Sequence, residues 1–374
     1  MFSEMTWMLV LMGFIWVMIV AAMALLPYYT RKSIAFGIAV PPEQNKEEFL
    51  TGLRKHYAGL TAIMGVILAA VSLFALVRMD EQAAITLYVG TIVLYAVLAF
   101  VVYARCNIFV RNFKRDSDWV IQSQSAAMLV SRDDTRKLFN PLWYLTHLAL
   151  IAGTAAYSLY LYPSLPPRLA LNTDLQGNVT NYADTSYWVI MQMPLVMLVM
   201  LALFAGIGVM INRAKRQTDD PSKSQGFYNN RSFQIVMGHC MFWLGLFIQI
   251  LVAAGQMQVL EVISLQVILW LTGILFAVIT IGLIYIAVKV GQGGYRLSSD
   301  TGDDVLTAGD DRYWILYGSF YNNPNDSAIF IERRVGIGWT INLGRPAGKA
   351  IIILTFVVII AMVVAVPLMT NSAG

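Results

Sequence analysis

The sequence predicts an α-helical polytopic membrane protein. It has about eight transmembrane helices, both termini on the outer side, and a small cytoplasmic β module between helices seven and eight. Three observations predict this. The 374 residues are 58% hydrophobic and only 13% charged, whereas soluble domains carry roughly 25% charge. Eight apolar stretches each approach the about 20 residues that a helix needs to cross the hydrocarbon core. Finally, 24 of the 26 Lys and Arg fall in alternate loops.

The stretches lie near 6–26, 58–77, 83–104, 142–162, 187–211, 233–254, 264–289 and 350–369. The first reads as a span and not as a signal peptide, because Glu4 is the only charge before it and its apolar core is long. Between spans, the loops 27–57, 105–141, 212–232 and 289–349 hold the 24 basic residues, and the other side holds only Arg78 and Arg168. Lys and Arg are retained on the cytoplasmic side. The basic loops are therefore expected in the cytoplasm, both termini outside, and the chain in a plasma membrane. Aromatic anchors agree, with Tyr157, Tyr160, Tyr162, Tyr187 and Trp188 at outer ends and Tyr28 and Tyr29 at an inner one.

This divides the chain into a three-span region with cytoplasmic loops (1–134), a four-span region (135–290), an acidic linker with the β module (291–349), and a last span with an outer tail (350–374).

No Asp, Glu, Lys or Arg falls clearly inside a span, and no HExxH helix occurs. Intramembrane charges mark proton relays and catalytic centres, so an ordinary proton-coupled transporter, an aspartyl intramembrane protease and a zinc protease are disfavoured. The expectation is a non-enzyme with no metal, no cofactor and no nucleic-acid partner. Cys106 and Cys240 make neither a disulfide framework nor a CxxC site. The remaining intramembrane polar candidates are His147, His239 and Gln249, with Gln192, Gln234, Gln256 and Gln266. Two histidines at similar depth admit a titrating or metal-binding pair. The favoured expectation is interhelical hydrogen bonding, worth about 0.6–2 kcal/mol per contact. Pro194 interrupts the fifth span and predicts a bend there.

The one long outer loop is "YPSLPPRLALNTDLQGNVTNYADTSYW", 162–188. It leaves the membrane through prolines, extends over Arg168 to Asn172 and turns at "QGN". Through Tyr162, Pro163, Leu165, Pro166, Gly177, Tyr182 and Ser186 it resembles a bacterial domain of unknown function that includes the immunity protein against the SDP cannibalism toxin of Bacillus. The resemblance covers about 135–290. Asn172 stands near that family's His, and Asp184 or Thr185 stands in place of its Lys. The resemblance implies binding, sensing or immunity toward a membrane-active peptide or lipid, with Pro166, Asn172, Gly177, Tyr182 and Asp184 as contact candidates. A permease or flippase for an amphipathic compound is the alternative.

The stretch "DRYWILYGSFYNNPNDSAIFIERRVGIGWTINLGRP" precedes the last span. "NPND" is a type I turn signal. "AIFIER" and "GWTINLG" are strand candidates, the second alternating Trp339, Ile341 and Leu343 with Thr340 and Asn342. A two- or three-stranded antiparallel sheet is expected, and a lone hairpin must pack on something to be stable. The inner helix ends, the loop 105–141 and the first loop 27–57 are the surfaces on offer, with Trp339, Ile341 and Leu343 expected to face them. Within the first loop, "PEQNKEEFLTGLRKHY" reads as a short amphipathic helix. The acidic "SSDTGDDVLTAGDD" fails the EF-hand pattern and reads as a solvated linker. "GQGG" after the seventh span reads as a helix stop.

Trp314, Phe320, Tyr321, Asn323, Asp326, Phe330, Arg333, Gly336, Gly338, Trp339, Thr340 and Asn342 are similar to a short uncharacterised module of Firmicute membrane proteins. That resemblance implies a Gram-positive plasma membrane. Arg333, Trp339 and Asn342 become candidates for contact with a cytoplasmic protein partner.

Overall fold

The computed structural model describes residues 4–31, 33–117, 119, 140–173, 179–213, 224–291, 294, 296 and 308–371. Each expected span falls on a helix: α1 (Glu4–Ala24), α2 (Glu48–Arg78), α3 (Glu81–Asp116), α4 (Leu145–Leu161), α5 (Tyr187–Arg213), α6 (Ser224–Val259), α7 (Leu265–Tyr285) and α8 (Pro346–Asn371). Among the described residues, five stretches are long and apolar enough to cross a membrane: Glu48–Arg78, Gln82–Asp116, Tyr187–Asn212, Arg231–Val259 and Leu265–Val290. The architecture is that of a multi-pass helical membrane protein.

Several helices outrun the apolar stretches that predict them. Helix α2 starts at Glu48, directly after a 3-10 turn over Pro42–Lys46, so the expected separate amphipathic helix is the polar first turns of α2. Helix α3 continues through "RCNIFVRNFKRD" to Asp116. Hydropathy marks where a helix meets lipid, whereas its ends are set by caps. Asp80, for example, caps α3 by accepting from the Ala83 backbone N–H at 3.0 Å. Helix α7 passes into a π-helical turn, Ile286–Val290, which ends at Gly291 (φ +67°), as the glycine run predicts.

Helices α1, α2 and α3 pack together. Trp16 is buried among them, edge-on to Tyr88 and Tyr95 at 6.3 and 5.7 Å, and Tyr88 Oη donates to Met12 O at 2.8 Å. A side chain at Gly65 would collide with Val20, so glycine sets this close approach. Helices α4, α5 and α6 form a second group, with α7 against α6. Tyr144 Oη donates to Phe204 O at 2.9 Å, and Gln234 Nε2 donates to Ile211 O at 3.1 Å. Helix α5 carries Pro194 within a continuous helix. Proline has no N–H for the carbonyl four residues back, and that carbonyl, Ile190 O, accepts from Gln256 Nε2 at 3.0 Å instead.

Among the described residues, four small antiparallel ladders complete the fold. Strands β1 (Ile34–Ala35) and β2 (Ile38–Ala39) form a hairpin in the first loop through Phe36 (φ +46°) and Gly37 (φ +81°). That turn geometry matches the right-handed twist of paired strands. Strands β3 (Arg168–Thr173) and β4 (Val179–Asp184) pair across a bulged register in the long loop. Strand β3 is the predicted extended piece, Arg168 to Asn172, with one residue more, and the second strand is an addition. Before α8, β5 (Trp314–Ile315) pairs with β6 (Phe320–Tyr321), and β7 (Phe330–Glu332) with β8 (Trp339–Ile341). A parallel bridge between Tyr321 and Asn342 joins these two hairpins. The expected single sheet is thus two hairpins stitched together.

Candidate functional site

Three sets of residues bear on function. The first is the β3–β4 hairpin. Leu169 and Ala183 are buried against Val189, Ile190 and Leu260, which anchors the hairpin to the neighbouring ends of α5 and α6. Thr185 Oγ1 donates to Pro166 O, fastening the loop's exit to its return. The outward face carries Tyr182, 53% exposed, and the exposed pair Arg168–Asp184 at 3.1 Å. Such a pair contributes little to stability, about 0–1 kcal/mol, and stays open to a partner. Asn172 pairs with Asn181 at a bulge in the ladder. Gly177 lies outside the described residues.

The second set lies between α4, α5 and α6. His147 is fully buried against Tyr144 and Phe242, with ring centroids at 5.1 and 5.0 Å. The Gln249 amide faces it, and Gln249 Nε2 donates to Met197 O at 3.2 Å. Further along, Ser158 Oγ lies 3.3 Å from Gln256 Nε2. His239 packs elsewhere, edge-on to Trp143 at 5.5 Å, with Nδ1 2.8 Å from Ile235 O. The two histidines therefore share one aromatic cluster but address different neighbours. Among the described residues, no group of three or more His, Cys, Asp or Glu is placed to hold a metal.

The third set is the module at the other ends of these helices. Strand β8 alternates as predicted, but the more buried face is polar: Thr340 is 6% exposed and Asn342 is 0%. Strands of two or three residues supply little apolar interior, so side-chain hydrogen bonds fill the gap. Asn342 Nδ2 donates to the carbonyls of Asn323, Asp326 and Ala328 at 2.9, 3.2 and 3.0 Å. Its Oδ1 accepts from the Asn323 and Gly344 backbone N–H groups at 3.0 and 2.9 Å. The structure places this contact candidate inside the module. The expected docking face is correct at Trp339, which stacks at a tilt on Phe233 at 5.1 Å and packs near Ile286 and Val290. Within "NPND", the Asp326 N–H donates to Asn323 O at 3.4 Å, closing the predicted turn.

Charge ties the module to the first loop and to α3. Arg31 Nη2 reaches both carboxylate oxygens of Glu332, at 2.6 and 2.7 Å, and both residues are nearly inaccessible. Asp311 accepts from Arg334, from Lys114 Nζ at 2.7 Å, and from the Ala39 N–H at 3.3 Å. Burial pushes the Asp311 carboxyl up, but Arg334 and Lys114 outweigh it and hold it below its ordinary value. Arg334 also lies over the Trp314 ring at 5.0 Å. Its neighbour Arg333, the predicted contact, is exposed. The turns of two hairpins meet tip to tip: a Cβ on Gly37 would lie 2.6 Å from Tyr317 O, and Asn107 Nδ2 donates to Phe36 O at 2.6 Å and Tyr317 O at 3.3 Å. Sequence reasoning missed Arg31, Asn107, Lys114, Asp311 and Glu332. Only "AFGIA", a glycine between apolar pairs, signalled the partner hairpin.

The hairpin candidates and the module candidates stand at opposite ends of the helices, joined by α5, α6 and α7. Residues 149–198, which hold α4 from Ala149 on, the β3–β4 hairpin and the start of α5, match a domain of unknown function (DUF1648). Residues 324–349, from the "NPND" turn to the start of α8, match a family of unknown function (DUF5808). No curated protein and no solved structure matches the chain.

Proposed function

We propose that this chain is a non-enzymatic receptor or immunity-type protein of a plasma membrane, acting on a membrane-active peptide or lipid. In this reading it crosses the membrane eight times, with both termini and the β3–β4 hairpin outside and the β module in the cytoplasm. The basic loops carry the orientation. The observation that carries the role is the hairpin itself: it is anchored by Leu169 and Ala183 while Arg168, Tyr182 and Asp184 stay exposed beside the exposed Tyr187 and Trp188. An aromatic and charged strip at a membrane face suits an amphipathic ligand. A Gram-positive host and the SDP-immunity likeness belong to the same proposal.

The permease or flippase reading is the alternative, and the packing of α4, α5 and α6 argues against it. His147, Met197, Gln249 and Gln256 are all fully buried within that interface, whereas a transport path opens to one side of the membrane or the other. In the receptor reading, the module reports ligand binding to a cytoplasmic protein through helix α6 and the π turn that ends α7, on which Trp339 rests. A deletion strain challenged with a panel of membrane-active peptides tests the role. Altered sensitivity to a subset of peptides, restored by the wild-type gene, is expected. Unchanged sensitivity to the whole panel would reject the immunity-type reading.

A further inference from the structure

The buried polar groups between α4, α5 and α6 are not all paired. His147 is fully buried, and the Gln249 amide and the Phe242 backbone lie beside its ring, yet neither ring nitrogen has a partner at full hydrogen-bond distance and angle, and the Oε1 atoms of Gln249 and Gln256 lack one as well. The amide nitrogens of both glutamines are already committed, to Met197 O and to Ile190 O with Ser158 Oγ. What remains is short of donors: two amide oxygens, plus an imidazole that offers one N–H and one lone pair. A direct bond between His147 and Gln249 would satisfy two of these four positions and leave the other two bare. Buried polar groups in native proteins are almost always paired, with protein or with water.

We infer that the α4–α5–α6 interface contains a polar binding site at the His147–Gln249 junction, filled by a small hydrogen-bond donor that is water in the resting protein. The occupant donates to Gln249 Oε1 and meets one nitrogen of the His147 ring. The Phe242 carbonyl, which also lies beside that ring, provides the third partner that buried waters typically have. The Tyr144 and Phe242 rings close the site on its apolar sides. A second donor at Gln256 Oε1 would extend the same arrangement toward the β3–β4 hairpin. This inference stands on packing alone and does not depend on the proposed ligand role.

The test uses the full chain, labelled with nitrogen-15 histidine in lipid bilayers, and solid-state NMR transfer from water protons to ring nitrogens. The chain has three histidines. His56→Asn and His239→Asn variants assign the His147 signals by elimination, and the exposed His56 serves as the wet reference. Transfer to a His147 ring nitrogen is expected in the wild type, with loss of that transfer in Gln249→Leu. No transfer in the wild type would show a dry interface and overturn the inference, and that arm alone decides if the leucine variant does not fold. Transfer that persists unchanged in Gln249→Leu would also overturn it, because the bound donor would then not be held by Gln249.

Discussion

Replacing Asn342 with alanine should unfold the β module while leaving the helices in place. The side chain is fully buried; its two N–H groups are shared among three carbonyls, and its oxygen accepts from two backbone N–H groups. A net hydrogen bond is worth about 0.5–1.5 kcal/mol. Bonds sharing one side chain do not add, so the expected loss is about 3–5 kcal/mol. That exceeds what hairpins of two and three residues can absorb. Asn342→Asp should be as damaging, since it turns a carboxylate oxygen toward three carbonyls. Asn325→Ala, at an exposed turn position, should change stability by less than about 0.5 kcal/mol. Hydrogen exchange on the full chain reads this directly: amides of 320–343 should lose protection in the two Asn342 variants and keep it in Asn325→Ala. Unchanged protection in Asn342→Ala would refute the reasoning.

Three further outcomes follow from the same contacts. Arg31→Met or Glu332→Met alone should destabilise the module by about 3–5 kcal/mol, because each breaks a buried two-oxygen ion pair and leaves one charge behind, while the double variant should lose less than either single one; thermal unfolding of all three checks this. Gln256→Leu leaves Ile190 O without a donor and should cost about 1–3 kcal/mol, whereas Pro194→Ala supplies the missing helical N–H and should recover most of that loss in the double variant. Asp311 has a folded-state pKa below its ordinary value, so its contribution is present above the unfolded-state value of about 3.9. It is lost as pH falls through the lower folded value, so exchange at 308–343 should rise below about pH 4, and Asp311→Asn should remove that step.

How far the sequence reaches depends on the range of the interaction. The spans are readable because about 20 consecutive apolar residues are a local property. Their ends are not, as α2 and α3 show: polar residues continue a helix once it leaves lipid. The "NPND" turn and the glycine stop after α7 are legible because turn chemistry acts over three or four residues. Pro194 is legible as a lost hydrogen bond, but its remedy, Gln256, lies 66 positions away from the carbonyl it serves. Arg31 and Glu332 are 301 positions apart, and no spacing rule pairs them. Period two in β8 finds the right alternation and, at Trp339, the docking face, but it does not reveal that the opposite, polar face is the more buried one. In so small a module the interior is built from Asn342 and Thr340. The outer hairpin is half legible, with Arg168 and Tyr182 recognised and the second strand missed.

The most direct measurement of the proposed role is protection of Tyr182→Cys from a membrane-impermeant maleimide on intact cells. Cys106 and Cys240 would be replaced by serine, and Ser327→Cys, at an exposed module position, would be the internal control. Cysteine at 182 should label from outside, cysteine at 327 should not, and at least one membrane-active peptide of a panel should slow labelling at 182. Labelling at 327 from outside, or a rate at 182 that no peptide changes, would contradict the account.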